Sequence, residues 1–81
     1  MSNRLHVGNL SLQTDDDSLR AAFSRDGRVV TDVHVMIHRD TGQSLGFGFV
    51  KLSSEKDARA AIRSLDGAWL DGRSIRVNEV R

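Results

Sequence analysis

The apolar residues of this chain switch between two periods, and the order of the switches leaves few folds open. "RLHVGNL", residues 4–10, alternates, with Leu5 and Val7 on one side, His6 and Gly8 on the other, and Gly8-Asn9 as a strand break. "TDDDSLRAAFSRDG", residues 14–27, changes to helical spacing, with Leu19, Ala22 and Phe23 as an i, i+3, i+4 stripe and Gly27 as the stop. Thr14 with Asp17 three residues later predicts a capping-box-like start, and Asp15 to Asp17 complement the positive end of the helix dipole. "VVTDVHVMIH", residues 29–38, alternates again. Val33, Val35 and Ile37 are expected on one face, and His34, Met36 and His38 on the other. The polar "RDTGQS" reads as a hairpin loop leading into "SLGFGFVKL", residues 44–52. "SSEKDARAAIRSLDG" repeats the helix pattern, with Ser54 as N-cap, Asp57 at N3, and Ala58, Ala61, Ile62 and Leu65 as its stripe. Asp71-Gly72 is a turn, after which Ile75 and Val77 point inward while Ser74, Arg76 and Asn78 point outward.

The resulting order is βαββαβ with short connections and no proline. Two right-handed crossovers over one antiparallel sheet give an α+β, ferredoxin-like sandwich with both helices on one face. Nothing else in the chain is expected to cover the other face. Eighty-one residues at 38% hydrophobic and 28% charged suit one small domain, residues 1–81, with a single two-layer core. With no cysteine, disulfides and thiolate zinc sites are excluded. No apolar run approaches the ~20 residues that span a bilayer, and no signal peptide is seen, so an intracellular protein with no membrane partner is expected. In a bacterium it would be cytoplasmic; otherwise cytoplasm, nucleus and organelle are equivalent readings.

Only four residues are aromatic, and two of them, Phe47 and Phe49, lie at spacing two in one strand. If Gly48, Val50 and Leu52 face the helices, then Leu45, Phe47, Phe49 and Lys51 face outward. Lys51 decides the orientation, because an unpaired lysine is not buried. The phenylalanines are thus expected on the bare face, displayed as a stacking surface for flat ligands.

"LHVGNL", residues 5–10, and "LGFGFVKL", residues 45–52, resemble the first-strand and third-strand signatures of the RNA recognition motif family. "RDTG" and the "DGRSIRVN" ending are similar to it as well. The resemblance implies a four-stranded sheet in the order 4-1-3-2. It also implies non-catalytic binding of single-stranded RNA, and of single-stranded DNA, by a monomer without cofactors. Phe49 and His6 would stack bases, and Phe47 would pack against sugar. Lys51, Arg76 and Arg39 would meet phosphates or base edges, and Asn78 would hydrogen-bond a base. His34 joins them from the second strand. Two departures from the family pattern predict weaker binding: Leu45 stands where a basic residue is usual, and His6 where Tyr or Phe is usual. An imidazole gains charge on mild acidification, so binding is expected to strengthen between pH 7.5 and 6.

Other readings fare worse. His6 and His34 would sit two strand spacings apart, about 10 Å, too far to share a zinc ion whose ligands stand at ~2.1 Å. "GFGFVK" lacks the third glycine and the following helix of a phosphate-binding loop. No nucleophile–base pair stands out, so no catalytic residue is assigned. Trp69 is expected to pack over the end of the second helix or a sheet edge, partly exposed. The rival function is a protein-interaction or dimerisation module using the same bare face.

Overall fold

The computed structural model describes residues 3–80; of the expected 1–81 domain, Met1, Ser2 and Arg81 lie outside the described residues. Strand β1 (Arg4–Gly8) leads to helix α1 (Asp16–Ser24) and a 3-10 turn at Arg25–Gly27. Strands β2 (Val30–Ile37) and β3 (Ser44–Leu52) form a hairpin, followed by α2 (Glu55–Leu65). Two short strands, β4 (Trp69–Leu70) and β5 (Arg73–Ser74), make a small hairpin before β6 (Arg76–Glu79). The main sheet has the order β2-β3-β1-β6 with every pair antiparallel, which is the expected ferredoxin-like topology.

The core is one cluster between the sheet and the helices. Leu5 and Val7 of β1, Val33 and Val35 of β2, Val50 and Leu52 of β3, and Ile75 and Val77 near β6 meet Leu19, Ala22 and Phe23 of α1 and Ala58 and Ala61 of α2. Burying a side chain of Leu or Phe size contributes roughly 1.5–3 kcal/mol, so this layer supplies the main drive to fold. Cores of this size leave the opposite sheet face to its own chemistry.

Three local expectations shift. The N-cap of α1 is Asp15, not Thr14: the Ser18 amide donates to Asp15 Oδ1 at 2.8 Å. Thr14 is instead buried, and its hydroxyl donates to Asp71 Oδ2 at 2.7 Å, tying the helix start to the β4–β5 turn. Ile37 is 55% exposed rather than inward, because the β2–β3 register shifts between Val35 and Ile37, where Gly46 takes φ +85°. His38 closes the hairpin loop, its Nδ1 accepting from the Asp40 amide at 3.3 Å, and takes no place on the sheet face. By contrast Ser54 caps α2 as expected, accepting from the Asp57 amide. Asp71 and Gly72 both have positive φ, the mirror-image turn that Asp-Gly favours.

The Ser18 amide, followed by the Ser18 side chain, holds the Asp15 carboxyl below its ordinary range. A depressed carboxyl stabilises the fold when ionised. This contribution is present at neutral pH and is lost only as the pH falls through the lowered value. The protection of the first-turn amides of α1, their exchange relative to the intrinsic rate at each pH, is therefore expected to fall on strong acidification, and Asp15→Asn should blunt that response.

Both outer strands have an outward amide closed by an aspartate. The Val35 amide on β2 donates to Asp16 Oδ1 at 2.8 Å, and the Val77 amide on β6 donates to Asp66 Oδ1 at 3.0 Å. Free strand edges template pairing with other chains, and these carboxylates occupy positions where such a pairing would start. Asp66→Ala is expected to cost about 1–2 kcal/mol, read as a lower urea midpoint at unchanged slope, since it leaves the Val77 amide unpaired beside the core.

Candidate nucleic-acid interface

On the face away from the helices, four side-chain positions fall into one line across the sheet. Phe49 of β3 is in register with both His34 of β2 and His6 of β1, and His6 is in register with Asn78 of β6. The line therefore reads His34, Phe49, His6, Asn78 at steps of ~4.8 Å. Phe47 stands beside it and completes a ring cluster. Its centroid lies 5.5 Å from His6 in a stacked arrangement, and 6.1 Å from Phe49 edge to face. His6 and Phe49 are 5.5 Å apart, also edge to face. All three rings are half-buried: each supports the others and keeps an exposed surface.

The strands hold these rings by simple alternation. Gly48, Val50 and Leu52 are buried against the helices, which turns Phe47, Phe49 and Lys51 to the other side. The same alternation sends Arg4, His6 and Gly8 outward from β1, with Leu5 and Val7 buried. Arg76 and Asn78 are exposed on either side of buried Val77. Lys51 faces Arg4 across one strand boundary and Asp32 across the other. Arg76 faces Gly8. Cations thus flank the aromatic line on both sides: Arg4 and Lys51 on one, Arg76 on the other. Arg39 lies apart from the line, exposed in the loop beyond β2. His34 and His6 stand on opposite sides of Phe49, so the two imidazoles do not converge.

The glycines have structural duties. A Cβ on Gly48 would lie 2.6 Å from the His34 carbonyl oxygen, so the close approach of β2 to β3 requires glycine there. Gly46 takes positive φ at the register shift, and its carbonyl accepts from the Leu10 amide at 2.9 Å. Gly8 is the one that serves the rings directly. A Cβ there would stand 3.4 Å from His6 Cε1, so its bareness lets the imidazole lean onto Phe47. Arg4 and Gly8 were not singled out as site residues from the sequence; the β1 alternation grouped Gly8 with His6, and the same alternation extends to Arg4.

Trp69 is 75% exposed, so most of the indole is left uncovered by the helix end or sheet edge expected to hold it.

The sequence pattern of the RNA recognition motif matches residues 5–76. The chain is 53% identical over 77 residues to RNA-binding protein CP29B, chloroplastic, of Arabidopsis thaliana, covering 95% of this chain and 26% of that protein. It is 53% identical over 78 residues to glycine-rich RNA-binding protein 4, mitochondrial, of the same plant, covering 96% of this chain and 57% of that one. The chain thus spans between a quarter and rather more than half of these relatives. Among solved structures, the second RRM domain of yeast poly(U)-binding protein superposes with a TM-score of 0.86 at 41% identity, covering 96% of this chain and 93% of that one. An Sxl-lethal protein/RNA complex superposes at 0.92 with 30% identity, covering 100% of this chain and 48% of that one. With both signature segments side by side as the central strands β1 and β3, and the family pattern running through nearly the whole fold, this chain belongs to the RNA recognition motif family.

Proposed function

We propose that this domain binds single-stranded RNA, and also single-stranded DNA, across the bare sheet face without catalysing a reaction. The observation that carries the reading is the line His34–Phe49–His6–Asn78, which offers stacking and hydrogen-bonding positions at regular steps with cations on both flanks. Phe49 and His6 stack successive bases, each such contact contributing roughly 1–3 kcal/mol. Phe47, already stacked on His6, packs against the sugar between them. Asn78 hydrogen-bonds a base edge, and His34 continues the line at the β2 end. Lys51 and Arg76 meet phosphates or base edges, with Arg39 reaching in from its loop.

A monomer suits this use, because the aspartates on both sheet edges disfavour edge-to-edge pairing. An intracellular setting also fits, the quoted relatives being chloroplastic and mitochondrial proteins. Among the described residues no helix is long and apolar enough to cross a membrane.

The test is titration with unstructured RNA while following amide NMR shifts. Shifts are expected along Phe49, His6 and Asn78, and unmoved resonances there at millimolar RNA would refute the reading. Repeating the titration at several salt concentrations counts the charges. Three phosphates neutralised by Lys51, Arg76 and Arg39 would give a log–log slope of about −2, at roughly −0.7 each on a single strand.

A further inference from the structure

We infer that Trp69 is a second stacking station for nucleic acid, continuing the platform past its β6 edge; this rests on the RNA-binding reading of the sheet face. Trp69 is in register with Ser74, and Leu70 with Arg73. Gly67 and Ala68 together oppose Ile75: the Gly67 amide donates to the Ile75 carbonyl at 2.7 Å, and the Ile75 amide donates to the Ala68 carbonyl at 2.8 Å. With Gly67 at φ +85°, this is a glycine bulge that splices the small hairpin onto the strand continuing into β6.

Along that strand burial alternates without interruption. Ser74, Arg76 and Asn78 are at least partly exposed, while Ile75 and Val77 are buried. Ser74 therefore shares the open side with Arg76 and Asn78, and its cross-strand partner Trp69 shares it too. The neighbours of Trp69 agree, since Ala68 and Leu70 pack against the core and leave Trp69 pointing away from it. The indole thus stands on the platform's side of the molecule.

The hairpin is also held in place. Asn9, directly after β1, donates from Nδ2 to the Ser74 carbonyl at 2.7 Å, and its Oδ1 accepts from Arg73 Nη2 at 2.7 Å. Thr14 binds Asp71 in the turn. A large aromatic side chain on an anchored hairpin, left 75% exposed, is what a stacking ligand can use at little entropic cost. Arg76 lies on the same side between Ser74, the partner of Trp69, and Asn78, so the charge along this path suits a phosphate backbone rather than a basic partner.

Reach sets the test. From Ser74 to Asn78 is about 14 Å at ~3.4 Å per residue, similar to the whole line from His34 to Asn78 at three strand spacings. An RNA that just fills the line stops short of Trp69, and one about twice as long arrives there. Trp69 is the single tryptophan of the chain, so its fluorescence reports on this place alone.

Oligouridylates and oligoadenylates of about four and about ten nucleotides should be titrated into the full chain, by Trp emission and by anisotropy of labelled RNA. The longer RNAs are expected to quench the emission. Trp69→Ala should weaken their binding about fivefold or more and leave the shorter ones unaffected, while Trp69→Phe retains most of the affinity. If the longer RNAs bind in a Phe49-dependent way but Trp69→Ala is neutral and the emission stays constant, the inference falls while the platform stands. The exposed indole then belongs to a protein partner. If neither length binds the unmodified chain, the platform reading itself falls and takes this one with it.

Discussion

Gly48→Ala is expected to destabilise the domain by about 3 kcal/mol, the upper part of the usual range for forcing a methyl group into packed structure. The new Cβ would meet three backbone atoms of β2: the His34 carbonyl oxygen at 2.6 Å, Val35 Cα at 3.0 Å and the His34 carbonyl carbon at 3.3 Å. No rotamer change relieves contacts with backbone, so β2 must move away from β3. Its anchor to α1, the Val35 amide on Asp16, resists that movement. The favourable effect of alanine on the unfolded chain is about 0.4–1 kcal/mol and does not offset the clash. Gly8→Ala is the matching control. Its Cβ meets only the tip of the His6 ring at 3.4 Å, and a side chain can swing aside, so stability should change by less than ~1 kcal/mol. Urea denaturation followed by circular dichroism compares the two, and equal midpoints would show that the β2–β3 approach is not what requires Gly48.

That result bears on how the chain is read from its residues. The alternation of "LGFGFVKL" correctly turns Val50 and Leu52 inward and Phe47, Phe49 and Lys51 outward, because an unpaired lysine is not buried and fixes the face of its set. It gives no reason for the glycines that stand beside the rings. Gly48 points to the buried side, and its requirement comes from the backbone of a different strand, which single-strand periodicity does not register. Gly46 likewise answers to a register shift. The same shift explains Ile37, whose position in an alternating run says nothing about where the hairpin leaves the core.

The α1 cap shows a second kind of limit. Thr14, Asp15 and Asp16 can each cap a helix, and local chemistry barely separates them. Tertiary partners decide: Asp71 draws Thr14 and the β2 edge draws Asp16, leaving Asp15 as cap. Edge closure by Asp16 and Asp66 was invisible for the same reason, since both partners are distant in sequence. All four residues of the central line were named from the sequence; Phe49 and His6 were the most legible, because their signatures lie on strands that must pair. The orientation of Trp69 was not legible, because it depends on a bulge opposite Ile75 that only the folded hairpin reveals.

Phe49→Ala is expected to weaken binding of single-stranded RNA by about 1–3 kcal/mol, roughly five- to 150-fold, while the domain stays folded. Phe49 holds the centre of the line, in register with His34 on one side and His6 on the other, so its loss removes a base position and an edge-to-face support of His6. Its ring lies outside the core cluster, which closes over Val50 and Leu52 on the opposite side of the same strand. Phe23→Ala provides the contrast. That ring is fully buried, and its removal should cost about 3–5 kcal/mol of stability, with binding lost through unfolding. Thermal melting and RNA titration of both variants separate the two roles. A large fall in melting temperature for Phe49→Ala would mean that the ring supports the fold instead of the ligand. An intact fold with unchanged affinity would move the nucleic acid off this face altogether.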